Sequence, residues 1–180
     1  MAEWFGFYKK YLQRRSLRKD ASTVPTGLLP ISRINTLTAI LDGEKRDSEE
    51  CKAEIMYFCR VNDIRLRLFF FNFNRIESGE RLITSITNTV LRKDLKWRGT
   101  FKEEKQHLLF SSSPDMLLIL TPLMDFTVEY TAKCSRALFK VGRVQLPGQT
   151  FDLVVADPAD KTCTQTEAFR TVKNILNKIS

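Results

Sequence analysis

The clearest hydrophobic signal lies in residues 115–158, where three short apolar runs are set apart by polar or mixed segments. Residues 116–121 read Met-Leu-Leu-Ile-Leu-Thr, residues 137–143 read Ala-Leu-Phe-Lys-Val-Gly-Arg, and residues 151–156 read Phe-Asp-Leu-Val-Val-Ala. Runs this short, with little apolar/polar alternation, predict strands covered on both faces, as at the centre of a parallel sheet. A helix is predicted over 122–135.

Upstream, residues 36–41 predict a first strand ending in the Asp42-Gly43 turn pair. Asp47 with Glu50 forms a predicted capping box, followed at helical spacing by Cys51, Ile55, Phe58 and Cys59. Residues 64–71 predict a second strand, with Ile64, Leu66 and Leu68 alternating against Arg65 and Arg67. Residues 74–99 carry conflicting signals: Gly79 and polar clusters favour loop or strand, whereas Leu82, Ile83, Ile86 and Val90 also suit a helix. Thr100 and Glu103 predict a second box and a short helix ending at 111–114. Thr164 and Glu167 predict a third, opening a helix with Phe169, Val172, Ile175, Leu176 and Ile179 on its buried stripe. Alternating strands and helices of these lengths imply a three-layer Rossmann-like α/β sandwich with a mostly parallel sheet of about five strands. The domain spans 34–180 and follows a Pro/Gly/Ser/Thr-rich linker at 21–33.

Residues 1–20 are of another kind. Between residues 3 and 19 a helix is predicted whose apolar sector comprises Trp4, Phe5, Phe7, Tyr8, Tyr11 and Leu12. Lys9, Lys10, Gln13 and Arg14 fall outside that sector, while Arg15, Arg18 and Lys19 intrude on it and limit the apolar stripe to the first three turns. These six cations face one acid, Glu3, so the first 19 residues carry +5 of the net +8. An aromatic face edged with cations suits an anionic membrane surface, where rings sit at the polar boundary and cations meet lipid phosphates. It also suits structured RNA or a ribosome surface, and docking on a protein partner or on the chain's own body. The primary expectation is a non-catalytic cytoplasmic module held at the inner membrane face by this helix.

Composition narrows the chemistry. With 180 residues and 43% hydrophobic content, one domain with an appendage is expected. No stretch approaches the roughly 20 apolar residues of a membrane span, and no leader pattern opens the chain. Cys51, Cys59, Cys134 and Cys163 include no Cys-x-x-Cys pair and read as reduced, mostly buried thiols. The lone His107 sits on a predicted helix with no nucleophile or orienting acid placed beside it, and neither His nor Cys spacing suits zinc. The 41–46 turn, Leu-Asp-Gly-Glu-Lys-Arg, is neither a dinucleotide fingerprint nor a Walker loop. No catalytic set, cofactor or metal is expected. A candidate cleft remains at the carboxyl ends of the strands, bearing Asp42, Thr121, Asp125 and Asp157, although Asp125 also suits a helix cap and Asp42 and Asp157 also suit turns. Lys133, Arg136, Lys140 and Arg143 form a further candidate basic patch.

The order of Asp115-Met-Leu-Leu-Ile-Leu, a helix to Ser135, and Phe139-Lys-Val-Gly-Arg143 resembles the N-terminal Rossmann-like half of heptosyltransferase-type glycosyltransferases. The whole chain resembles a small family of uncharacterised bacterial α/β proteins with a basic N-terminal helix. The first resemblance implies a fold and a reduced sugar-nucleotide-binding domain as an alternative function. It does not supply the second domain such enzymes use to hold their donor, and fold alone does not carry a reaction.

Overall fold

Among the described residues, six parallel strands form one open sheet in the order β3-β2-β1-β4-β5-β6. In chain order the elements are α1 (Ala2–Asp20), β1 (Thr36–Asp42), α2 (Ser48–Val61), β2 (Arg65–Asn72), β3 (Thr89–Leu91), α3 (Glu103–Phe110), β4 (Met116–Ile119), α4 (Phe126–Cys134), β5 (Phe139–Gly142), β6 (Leu153–Val154) and α5 (Gln165–Leu176). The structure, a computed structural model, describes residues 2–73, 88–123, 125–158 and 162–179. The predicted α/β sandwich is present, with six strands instead of about five. The additional strand is β3, from the stretch of conflicting signals; Leu82, Ile83 and Ile86 lie outside the described residues.

Both sheet faces are covered, which is why the central strands lack a polar side. Leu37, Ala39 and Leu41 of β1, Met116 and Leu118 of β4, and Phe139 and Val141 of β5 join one core with Cys51, Ile55 and Phe58 of α2 and Phe169, Val172 and Leu176 of α5. Ile40, Leu117 and Ile119 point the other way, meeting Phe101, Leu109 of α3, and Val128 and Tyr130 of α4. Alternation is real but hidden, because odd and even positions both enter apolar layers. Phe58 and Phe169 meet edge to face at 5.7 Å, joining α2 to α5.

Of the three predicted capping boxes, the one at Thr164 and Glu167 forms. Thr164 Oγ1 accepts from the Glu167 amide at 3.1 Å, and the Thr164 amide donates to Glu167 Oε2 at 2.8 Å. The other two do not. Asp47 precedes α2 but makes no cap to it; its carboxylate instead accepts from the Thr166 amide and hydroxyl, at 3.0 and 3.3 Å, at the start of α5. A neighbouring helix N-terminus thus takes the acid from its own helix. Thr100 is buried in a tight turn, its carbonyl accepting from the Lys96 amide at 2.7 Å, and α3 starts beyond it after Lys102.

At the amino ends of the strands, Asp115 staples β4 to β1. Its Oδ2 accepts from the Asn35 amide, the Thr36 amide and the Thr36 hydroxyl at 2.9, 2.9 and 3.0 Å. Partial burial opposes its ionisation, but these donors, the Asn35 amide foremost, hold the carboxyl below its ordinary value. Asp115→Ala is expected to cost about 1–3 kcal/mol in urea titrations at pH 7. A depressed native value means the contribution is complete above the ordinary carboxylate range near about 4 and fades as pH falls through the lower native one. The gap between wild type and variant therefore narrows in acid; a gap independent of pH would show that the charge is not involved.

The 21–33 segment has the irregular backbone expected of a linker, apart from a 3-10 turn at Ile31–Arg33, yet it is tied along the body. The Ser22 amide donates to the Lys133 carbonyl and the Gly27 amide to the Leu138 carbonyl, each at 2.9 Å. Thr26 Oγ1 donates to Asp152 Oδ1 at 2.7 Å, and Leu29 and Ile31 pack against the α2/α5 core.

Candidate functional site

The strand order reverses between β1 and β4, the place where open parallel sheets take their ligands. Register pairs Ile40 with Ile119, so Asp42 and Thr121 emerge side by side at the carboxyl edge. Both are buried. Asp42 Oδ1 accepts from the Glu44 amide at 3.0 Å, closing the predicted turn, and burial pushes its carboxyl up despite that bond. Thr121 Oγ1 accepts from the Leu123 amide at 3.3 Å. Gln165, fully buried at the first position of α5, fills the place beside Asp42. Its Oε1 accepts from the Asp42 amide at 2.7 Å and its Nε2 donates to the Asp42 carbonyl at 3.1 Å. A helix 123 residues downstream thus reproduces a main-chain pairing at the switch point.

The other two predicted edge residues have structural partners. Asp125 Oδ1 accepts from the Val128 amide at 2.9 Å and caps α4, as a helix cap would. Asp157 holds Arg143, which follows β5 and is only 3% exposed. Arg143 Nε donates to Oδ1 at 3.1 Å, and Nη2 to Oδ1 and Oδ2 at 2.9 and 3.0 Å. Nη2 also donates to the Cys163 carbonyl. No sequence signal marked Gln165 or this pairing, since each joins distant positions through the fold.

The candidate basic patch at 133–143 is dispersed. Lys133 pairs with Glu129 one turn away on α4, Lys140 is buried, and Arg143 is in its clamp; only Arg136 is exposed. Burial lowers the Lys140 ammonium, with Asp152 acting in the opposite direction. The thiols of Cys51, Cys59 and Cys134 are buried, and burial pushes them up to about 12, 11 and 12, so they stay protonated at neutral pH. His107 lies exposed on α3.

The helix α1 is docked mainly by one side. Gln13 Nε2 donates to the Arg98 carbonyl at 2.7 Å, Leu17 packs into the α3/α4 core, and Asp20 accepts from the Tyr130 hydroxyl at 2.7 Å. Lys9, Leu12, Gln13, Ser16, Leu17 and Asp20 are the half-buried positions, and at 3.6 residues per turn they form one face. Lys9 thus departs from the other predicted cations by lying toward the body. The opposite face carries Trp4, Phe7, Tyr8, Tyr11, Lys10, Arg14, Arg15, Arg18 and Lys19, all exposed. Trp4 and Phe7 are 80% and 79% exposed. Tyr8 stacks on Trp97, with centroids 6.4 Å apart and planes 18° from parallel. Trp97 stands in a run, Arg92-Lys-Asp-Leu-Lys-Trp-Arg98, whose four cations around an indole were a legible signal that reading for helix or strand period passes over. Among the described residues, no helix is long and apolar enough to cross a membrane.

An all-parallel sheet in the order 3-2-1-4-5-6, with helices on both faces, defines a Rossmann-like α/β protein; here the switch point is stoppered and an aromatic, cationic helix face is exposed. The chain belongs to a family of unknown function (DUF6913), which it matches over residues 6–178. No curated protein and no solved structure matches it.

Proposed function

We propose that this protein is a non-catalytic α/β module held at an anionic lipid surface, the cytoplasmic face of a membrane, by the outward side of α1. The observation that carries this reading is the segregation of that helix. Leu17, Gln13 and Asp20 face the body, while Trp4, Phe7 and Tyr11 stand in solvent among Lys10, Arg14, Arg15, Arg18 and Lys19. Aromatic rings at a helix surface bury favourably at the headgroup boundary, and each basic residue near an anionic leaflet adds about 1 kcal/mol. Structured RNA or a ribosome surface would take the same cations on its phosphates, but it offers no apolar layer to rings that stand in solvent on the convex side of a helix. The sugar-nucleotide alternative has the strand order in its favour, but Gln165 occupies the place such a ligand would use.

The full chain should co-sediment with vesicles of equimolar phosphatidylglycerol and phosphatidylcholine, release as salt is raised, and ignore phosphatidylcholine alone. Equal binding to both vesicles, or to neither, would reject the reading. Salt-dependent capture of RNA without vesicle binding would replace it.

A further inference from the structure

We propose that residues 92–98 are the second half of the lipid-facing surface, with Trp97 entering the headgroup layer beside Trp4 and Phe7; this rests on the reading above. Charge first singles the segment out. Residues 1–19 hold six cations and one acid, and residues 92–98 hold four cations and one acid. Together they account for the whole net charge of +8, and the rest of the chain balances at nineteen cations against nineteen acids. Both tryptophans of the protein also fall in these two segments.

The fold brings the two together. Leu91 leads into a 3-10 turn at Arg92–Asp94, where the segment's one acid is engaged, Asp94 Oδ2 accepting from the Leu91 amide at 2.9 Å. The chain then reverses through Lys96–Thr100: the Gly99 amide donates to the Lys96 carbonyl at 2.8 Å, and Gly99 has a φ of +88°, which a side chain would strain. Thr127 Oγ1 of α4 donates to the Gly99 carbonyl at 2.9 Å, and Gln13 of α1 holds the Arg98 carbonyl. The turn is therefore pinned to both helices, and Trp97 leaves it half exposed, at 52%, parallel to Tyr8. Arg92 and Lys93 of the same segment are exposed, while Lys96 and Arg98 are half-buried. An indole in a cationic segment, fixed next to an aromatic helix face, meets the chemistry of an anionic phospholipid headgroup layer, where indoles lie at the polar boundary and phosphates take the cations.

Trp4→Phe in the full chain leaves Trp97 as the sole indole. Its emission is followed while vesicles of equimolar phosphatidylglycerol and phosphatidylcholine are added, with plain or brominated acyl chains, and sedimentation of wild type and variant is measured in parallel. The expected result is a blue shift and a several-fold stronger quench by the brominated lipid. Sedimentation with unchanged Trp97 emission overturns this inference and leaves the α1 reading standing. Failure of the wild type to sediment removes both, whether or not RNA then changes the emission; an emission change with RNA alone, in a protein that does sediment, overturns only this inference. In a second variant, Arg92→Gln with Lys93→Gln, which spares the stacked rings, vesicle partitioning should fall about tenfold or more; unchanged partitioning counts against the segment.

Discussion

Asp157→Ala is expected to lower the stability of the protein by about 3–5 kcal/mol, far more than a partly exposed acid would suggest. The reason lies in its partner. Arg143 is 3% exposed, and Asp157 accepts three of its hydrogen bonds. Without the carboxylate, a buried guanidinium keeps only the Cys163 carbonyl among these partners. Arg143→Met should behave differently, near neutral in stability, because it removes the charge together with its desolvation cost and fills much the same space. Urea denaturation of both variants at neutral pH checks the order. If Arg143→Met proves the more damaging, the arginine contributes something other than a paired buried charge.

The second large effect concerns binding. Replacing Lys10, Arg14, Arg15, Arg18 and Lys19 together by glutamine should reduce partitioning onto anionic vesicles by roughly 5,000-fold, at about 1 kcal/mol per cation. The fold should survive, because all five side chains are exposed and the contacts that dock α1 come from Gln13, Leu17 and Asp20. The loss in stability is limited to the favourable end-charge contribution of Arg18 and Lys19, about 0.3–1 kcal/mol each. Thermal unfolding beside vesicle sedimentation separates the two. A variant that melts like wild type and still binds would show that these cations do not hold the protein to lipid.

The layered fold was legible because it depends on local runs: 116–121 and 137–143 are too apolar to be anything but strands sheltered on both sides, and the Thr164–Glu167 box opens α5 where its spacing indicated. Boundaries shifted where chemistry is tertiary. Asp47 looks like the cap of its own helix in sequence and serves Thr166 instead, a choice that only the packing of α2 beside α5 decides. The outward face of α1 was readable as aromatic and cationic, but not which side would dock, since that turns on a tyrosine more than a hundred residues away donating to Asp20. β3 was hidden by its length of three residues, too short for any period to register.

The carboxamide at the crossover has a final implication. A guest seeking the seam between the first and fourth strands would have to evict Gln165 and find new partners for an amide and a carbonyl of Asp42. Each group left stranded in a sealed interior would set it back by about 1–3 kcal/mol. The seam where open parallel sheets take a visitor is, in this molecule, already occupied by a side chain of its own last helix.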